Sequence, residues 1–358
     1  MTRGIAPLIL GYQAFDRDIR IAGVILNQLG GSRHEAKLRV VVEHYTDIPV
    51  LGAVPVDPRL AIVERHLGLV PSNEAEDAAR RIAEIGSIVG RLVDLDAVLR
   101  LAADVPPVAA AGDADGEPAP AAVADVRIGV AQDRAFGFYY ADDLDALRAA
   151  GAALVRIDTL HDAHLPPIDG LFIGGGFPEL FAGELEANVA LRTRIRAAID
   201  AGLPVYAECG GLMYLARTLT YQGRSCRMVG AIPGDVVMHE RPVGRGYVHL
   251  EESDTFPWPA TGGDRAVRGH EFHYSSLDNL PADLHWAYRV KRGHGVDGER
   301  DGIVIGNVLA SYAHLRSTGG NGWAARFVDF VRRADYRRGR DDNIVYLPPA
   351  RAREAAVI

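Results

Sequence analysis

Pro204-Val-Tyr-Ala-Glu-Cys-Gly-Gly-Leu-Met213 is the stretch whose reading decides the fold. Val205 to Glu208 is a short run that reads as a buried strand, and a helix starts near Leu212. Between them stand Cys209 and the pair Gly210-Gly211. A cysteine at so sharp a strand-to-helix turn is held out of the sheet, with its sulfur at the positive end of the helix. The dipole and the free backbone N–H groups there favour thiolate over thiol. The glycines let a substrate carbonyl approach the backbone closely. This is the nucleophile-elbow layout with sulfur in place of a serine oxygen. The competing reading is a buried structural cysteine, the usual role of a lone Cys. Cys226 has no elbow around it and takes that structural reading.

Outward from the elbow, strands and helices alternate. Val126 to Ala131, Ala153 to Ile157 and Gly170 to Ile173 read as strands, and Asp143 to Ala150 and Glu184 to Ala201 as helices. Alternation of this kind predicts an α/β fold, a parallel sheet with helices on both faces. Its site lies at the carboxyl ends of the strands, where both Gly174-Gly-Gly176 and Cys209 fall. Beyond the elbow the pattern turns to hairpins: Val229 to Val237, Gly246 to Leu250, Gly269 to Ser275, and one more arm from Val304 to Leu315 with His314 at its end. Ala324 to Arg333 is a closing helix.

Before Val126 comes a Pro/Ala/Gly/Asp-rich stretch that reads as a linker. The expected organisation is therefore a first domain over 1–103, a linker over 104–125, a second domain over 126–335 and a tail over 336–358. In the first domain Ile5 to Phe15 is helical, Ile19 to Asn27 a strand, Glu35 to Tyr45 a helix, and Pro49 to Val54 a second strand. That is a βαβ unit. Glu74 to Ala102 reads as one long helix. Two strands make a poor core on their own, and no Gly-x-x-x-x-Gly-Lys-Ser/Thr occurs anywhere, so no phosphate-cradling P-loop is present. This region reads as the tail of a domain. Asn27, at a strand end, is a turn residue or a reader of a purine edge; Arg65 and His66 contact an acidic ligand or cap a surface.

The 358 residues are 48% hydrophobic and 24% charged, ordinary for a globular protein. A net charge of −8 gives no support for nucleic-acid binding. Two cysteines argue against a disulfide scaffold or a cysteine zinc site and fit a reducing compartment. No apolar run approaches membrane-spanning length and no signal peptide is seen, so the expectation is a cytoplasmic protein that does not associate with membranes. His270 and His273 resemble a metal pair on paper, but at that spacing on a strand they point to opposite faces, so no metal site is expected.

A cysteine nucleophile needs a base and an oxyanion hole. His314 ends a strand in the same domain, and backbone N–H groups of Gly210 and of Gly174-Gly-Gly176 are available for an oxyanion. Oxyanion glycines, then cysteine, then histidine is an order that resembles class I glutamine amidotransferases. The likeness sharpens on an ordered set of motifs: Ile19 to Asn27 with Arg33-His34, Leu51 to Pro55, Glu64 to Pro71, Phe136-Gly-Phe-Tyr-Tyr140, Gly174 to Glu179, Ala207 to Tyr214, Gly269 to Ser275 and Ser311-Tyr-Ala-His314. Together they resemble the cobyrinic acid a,c-diamide synthases and their relatives acting on hydrogenobyrinic acid, from about residue 1 to about 335.

The resemblance implies a carbon–nitrogen ligase of the cobalamin pathway. Its first domain, similar to dethiobiotin synthetase, is a P-loop domain present here only in part. It uses ATP and Mg2+ to activate the a and c carboxylates of a corrinoid. The second releases ammonia from glutamine, with Cys209 as nucleophile, His314 as base, and Gly175, Gly176 and Gly210 as backbone donors. By the same resemblance Asn27 falls where the family reads adenine, and Glu208 and the aromatic loop Phe136 to Tyr140 line the glutaminase site or a domain interface.

Three departures stand out. The family's P-loop and magnesium-binding acidic residues lie upstream of the matched segment, so an internal methionine at Met1 is one expected reading. The His-x-Glu of class I enzymes is His314-Leu-Arg316 here, which predicts a dyad with no orienting carboxylate and a guanidinium that disfavours protonated His314. Asp142-Asp143 replaces the family's asparagine, a minor change. Rival readings are a glutaminase half working with a separate ATP-binding chain, a non-catalytic remnant, and another acyl-transfer or hydrolase member of the same fold; a homodimer is the other expected assembly.

Overall fold

A computed structural model describes residues 3–62, 64–65, 68–69, 78–106, 124–259, 265–318, 321–334 and 336. The chain forms two compact units, Met1–Asp115 and Gly116–Ile358. Their division falls inside the segment 104–125, most of which lies outside the described residues, as do His66 and the tail from 337.

In the first unit, strands Val24–Leu29 and Val50–Pro55 pair in parallel across the helix Ser32–Tyr45. Leu26, Leu29, Leu38 and Ala53 form one small core, and Ile9, from helix Ile5–Phe15, packs with Val42 and Ile48 in another. The first strand is shorter than expected from Ile19 to Asn27. Its ladder begins only where the neighbouring strand arrives, with Val24 N donating to Pro49 O at 3.0 Å. The expected long helix is two, Ala78–Leu92 and Leu95–Ala103. Between them Asp94 N donates to Leu51 O, and the Asp94 carboxylate accepts from Ala97 N at 2.9 Å, which starts the second helix as an N-cap.

The second unit is built on a ten-stranded mixed sheet. Its parallel half runs Ala152–Ile157, Val126–Ala131, Gly170–Ile173, Val205–Glu208, Val308–Ser311. Successive side chains alternate between faces. Leu171, Ile173, Val205 and Ala207 join one core with the helices Val189–Asp200 and Gly210–Leu215. Phe172 and Tyr206 stack at 5.4 Å in the other, against Trp323 and Phe327 of helix Trp323–Arg333. Covering both faces explains why these strands are apolar without alternation.

Arg300–Ile305, His285–Arg292, Gly244–Glu252, Ala266–His273 and finally His314–Leu315 continue the sheet antiparallel. His314–Leu315 is the far edge, yet only Tyr312 and Ala313 join it to Ser311. Flat, about five strand spacings would cover roughly 24 Å, whereas that chain reaches about 10 Å. The antiparallel half therefore curls back over the carboxyl ends of the parallel half and delivers its edge to Glu208 and Cys209.

Several boundaries move for local reasons. Val229 to Val237 yields only the strand Asp235–Met238, because Gly230 is left-handed (φ 76°) and Pro233 has no N–H to give a ladder. Glu184 to Ala201 is broken at Asn188 into Ala182–Ala187 and Val189–Asp200. The Asn188 side chain caps the second helix and donates to Thr159 O and Asp162 O, each at 2.9 Å. Val304 to Leu315 is not one hairpin arm: Val308–Ser311 is a central strand parallel to the elbow strand. Among the described residues no helix is long and apolar enough to cross a membrane.

Candidate active site

Cys209 adopts φ 47° and ψ −101°, a left-handed backbone that a non-glycine residue takes at a cost of about 1–3 kcal/mol. Two hydrogen bonds hold it there: Cys209 N donates to Ser311 O at 2.7 Å, and Cys209 O accepts from Met213 N at 3.0 Å. The elbow is thus clamped between the neighbouring parallel strand and the helix Gly210–Leu215. Gly211 is required by packing, since a methyl on it would meet Ile173 O at 2.1 Å. Cys209 is a buried residue, 7% exposed.

His314 is brought to that sulfur by a buried carboxylate absent from every motif of the sequence. Asp301 is fully buried; one of its oxygens accepts from Ser311 Oγ and Ala313 N, the other from Tyr312 N and Gly302 N, at 2.7 to 3.1 Å. Burial pushes the Asp301 carboxyl up, and these four donors work against it. They fix the turn that carries His314.

The His314 ring is enclosed on all sides. Cys209 and Glu208 face it and interact with it side chain to side chain. Glu208 Oε2 lies 3.4 Å from Nδ1, an ion-pair contact longer than a good hydrogen bond. His270 stacks on it with centroids 4.9 Å apart and planes at 17°, and Phe138 stands edge-on at 5.0 Å. Tyr140 Oη reaches His270 Nδ1 at 3.2 Å. Burial alone lowers the affinity of His314 for a proton, but the adjacent Cys209 and Glu208 side chains outweigh it and raise the imidazole to about 10. His270 moves the other way, down to about 4, through burial and the adjacent His314. The stacked pair is thus one imidazolium and one neutral ring at neutral pH.

The glycine turn closes the third side. Gly175–Gly176 pairs antiparallel with Phe136–Phe138. Gly174 N is already engaged, donating to Tyr139 Oη at 2.9 Å. Gly210 packs on Gly176 so closely that a methyl there would lie 3.0 Å from Gly176 N. Gly175 touches the histidine: an added methyl would sit 2.5 Å from His314 Cε1. Gly175→Ala is therefore expected to displace the ring from Cys209 and to lower the rate of any reaction of the pair by about 100-fold. Circular dichroism and a progress curve on the same sample check this, the spectrum remaining unchanged.

The sequence-predicted Cys209, His314, Gly175, Gly176 and Gly210 are thus brought together. Asn27 belongs to the other unit, is exposed, and accepts a hydrogen bond from Gln28 N at 2.8 Å. Two expectations about the histidine are corrected. A carboxylate does face it, from Glu208, directly before the cysteine. Arg316 does not bear on it: its guanidinium turns outward to Asp142 at 2.7 Å and lies over the Tyr140 ring. Asp142-Asp143 is accordingly not a minor change. Asp142 neutralises Arg316, and Asp143, raised to about 6 by burial, accepts from Ser317 N at 2.6 Å, so both hold down the chain after His314. His270 and His273 do face opposite ways; His273 stacks on Tyr312 at 3.9 Å. Cys226 is buried in the core, and burial pushes its thiol up.

A nucleophile, an imidazolium and a glycine-lined turn in one enclosure suit acyl transfer. Comparison with known proteins agrees. Residues 127–321 match the CobB/CobQ-like glutamine amidotransferase domain. Cobyrinate a,c-diamide synthase of Magnetococcus marinus is 42% identical over 338 residues, covering 93% of this chain and 71% of that protein. The protein of the same name from Methanosarcina acetivorans is 42% identical over 339 residues, covering 88% and 67%. That from Archaeoglobus fulgidus is 41% identical over 328 residues, covering 92% and 70%. Alignments of this length extend over both units and beyond the amidotransferase part: the chain belongs to the cobyrinate a,c-diamide synthase family.

Proposed function

We propose that the Gly116–Ile358 unit hydrolyses glutamine and that its ammonia amidates the a and c carboxylates of a corrinoid, cobyrinic or hydrogenobyrinic acid. The observation that carries this reading is the enclosure of Cys209 with His314 beside Gly175, Gly176 and Gly210. Cys209 Sγ attacks the side-chain amide carbon of glutamine. The carbonyl oxygen becomes an oxyanion, held by backbone N–H groups of the glycine turn and Gly210. His314 gives its proton to the departing nitrogen, ammonia leaves, and a glutamyl thioester remains on Cys209. His314, now neutral, takes a proton from water, whose oxygen attacks the thioester carbon. Glutamate departs and the ion pair is restored.

Activation of the corrinoid carboxylate by ATP with Mg2+ comes to this chain from its family. No phosphate-cradling Gly-x-x-x-x-Gly-Lys-Ser/Thr loop occurs in the sequence of Met1–Asp115. We assign no step of activation to these residues. The test is glutamate production from glutamine by the purified chain. Steady turnover is the expected result, and no turnover with or without corrinoid, ATP and Mg2+ contradicts the reading.

A further inference from the structure

We infer that Glu208 is the positioning carboxylate of His314, supplied by the nucleophile's own strand in place of a carboxylate two residues after the histidine. The inference rests on the glutaminase reading of Cys209 and His314. One oxygen of Glu208 is fixed by two donors, Tyr206 Oη at 2.6 Å and Leu315 N at 3.1 Å. The other is left to face Nδ1 of His314. Glu208 is only 4% exposed, and a buried carboxylate is costly unless paired. Among the described residues His314 is its only ion-pair partner.

The other nearby carboxylates are committed elsewhere: Asp143 to Ser317 N, Asp142 to Arg316, and Asp301 to the turn before His314. The remaining groups around the pair carry no competing charge. Tyr139, Tyr140, Tyr206 and Tyr288 surround Glu208 with phenols that burial pushes up, and His270 is neutral beside His314. Asp143, the one titrating neighbour, also feels the Glu208 charge. Leu315 N ties the carboxylate to the residue after the histidine, so ring orientation and carboxylate position are set by one short segment. The role resembles that of a triad carboxylate, which holds the imidazole in one orientation and stabilises its protonated form.

Glu208→Gln keeps the shape and both anchoring hydrogen bonds but removes the charge. The expected result is a fall in kcat for glutamine hydrolysis of about 100-fold with KM changed less than about twofold. Glu208→Asp restores at least about a tenth of the loss. The second readout needs no turnover: the His314 imidazole is titrated by NMR in the Cys209→Ser chain, where the sulfur is gone and Glu208 remains. Its titration stays above 6.5 with Glu208 present and drops when Glu208→Gln is added. Should Glu208→Gln not fold, a His314 titration at or below 6.5 in Cys209→Ser alone overturns the inference. So does unchanged kcat in a folded Glu208→Gln chain. Absence of glutaminase activity in the unaltered chain with His314 still titrating high contradicts the glutaminase reading instead and leaves the Glu208–His314 pair standing.

Discussion

Cys209→Ser is expected to lower glutamine hydrolysis by on the order of 10⁴-fold or more, to near the background of the assay. Serine is close in size, and the left-handed backbone at this position is held by main-chain bonds to Ser311 and Met213, which a serine keeps. Thermal unfolding should therefore move little. The loss comes from chemistry: a hydroxyl does not ionise beside an imidazolium as a thiol does, so the attacking group stays neutral and the dyad has no ion pair to spend in the first step. Glutamate release from the Cys209→Ser and unaltered chains, measured side by side at equal concentration, checks this. Cys226→Ser is the matched control, with activity unchanged within about twofold, because that thiol sits on the strand Arg224–Arg227 of a separate four-stranded sheet. Equal activity in the Cys209→Ser and unaltered chains would remove the elbow from the reaction.

The second large effect belongs to His314 and has a direction in pH. Its imidazole is raised to about 10, so it is protonated throughout the neutral range and loses the proton only as pH rises toward that value. Departure of ammonia needs that proton. Turnover should accordingly hold through the neutral range and fall above roughly pH 9. The groups facing the ring are Cys209, Glu208 and His270, and none adds a positive charge that would bring the fall to lower pH. His314→Asn should lower kcat by about 10³-fold and abolish the alkaline fall, since the titrating group is gone. The measurement is kcat/KM for glutamine from pH 6 to 10.5, roughly the range that brackets both limits. A fall centred near the ordinary histidine value of 6.5 contradicts the ion-pair description.

The elbow was legible in the sequence because everything that makes it is local. A buried strand, a sharp turn and two glycines act over a few residues, and the strand-to-helix geometry follows from them. The glycine turn was legible for the same reason. The surroundings of His314 were not. Its partner strand, Ala266–His273, is reached only through the curl of the antiparallel half, and no local pattern encodes which edge a two-residue strand joins. His270 was visible as part of the motif Gly269 to Ser275 but not as the neighbour of His314, because its partner is stacked on it from the far edge. Glu208 was in plain view beside the cysteine. Its role depends on a contact with His314, 106 residues further along the chain, which no local pattern encodes. Asp301 had no signal at all. A lone aspartate opening a strand is unremarkable until the turn whose N–H groups it collects is folded around it. In the first unit the βαβ order was readable and the boundaries were not, since Asp94 ends one helix and caps the next inside a continuous helical pattern.

Reaction with a diazoketone analogue of glutamine tests the central claim most directly, because it asks which atom attacks a carbon placed where the amide would be. Peptide mapping by mass spectrometry reads the answer. The account predicts one label per chain, on Cys209, absent from Cys209→Ser, strongly slowed in His314→Asn and blocked by excess glutamine. A label carried on Cys226, or an unlabelled Cys209 in a chain that is turning glutamine over, would contradict it.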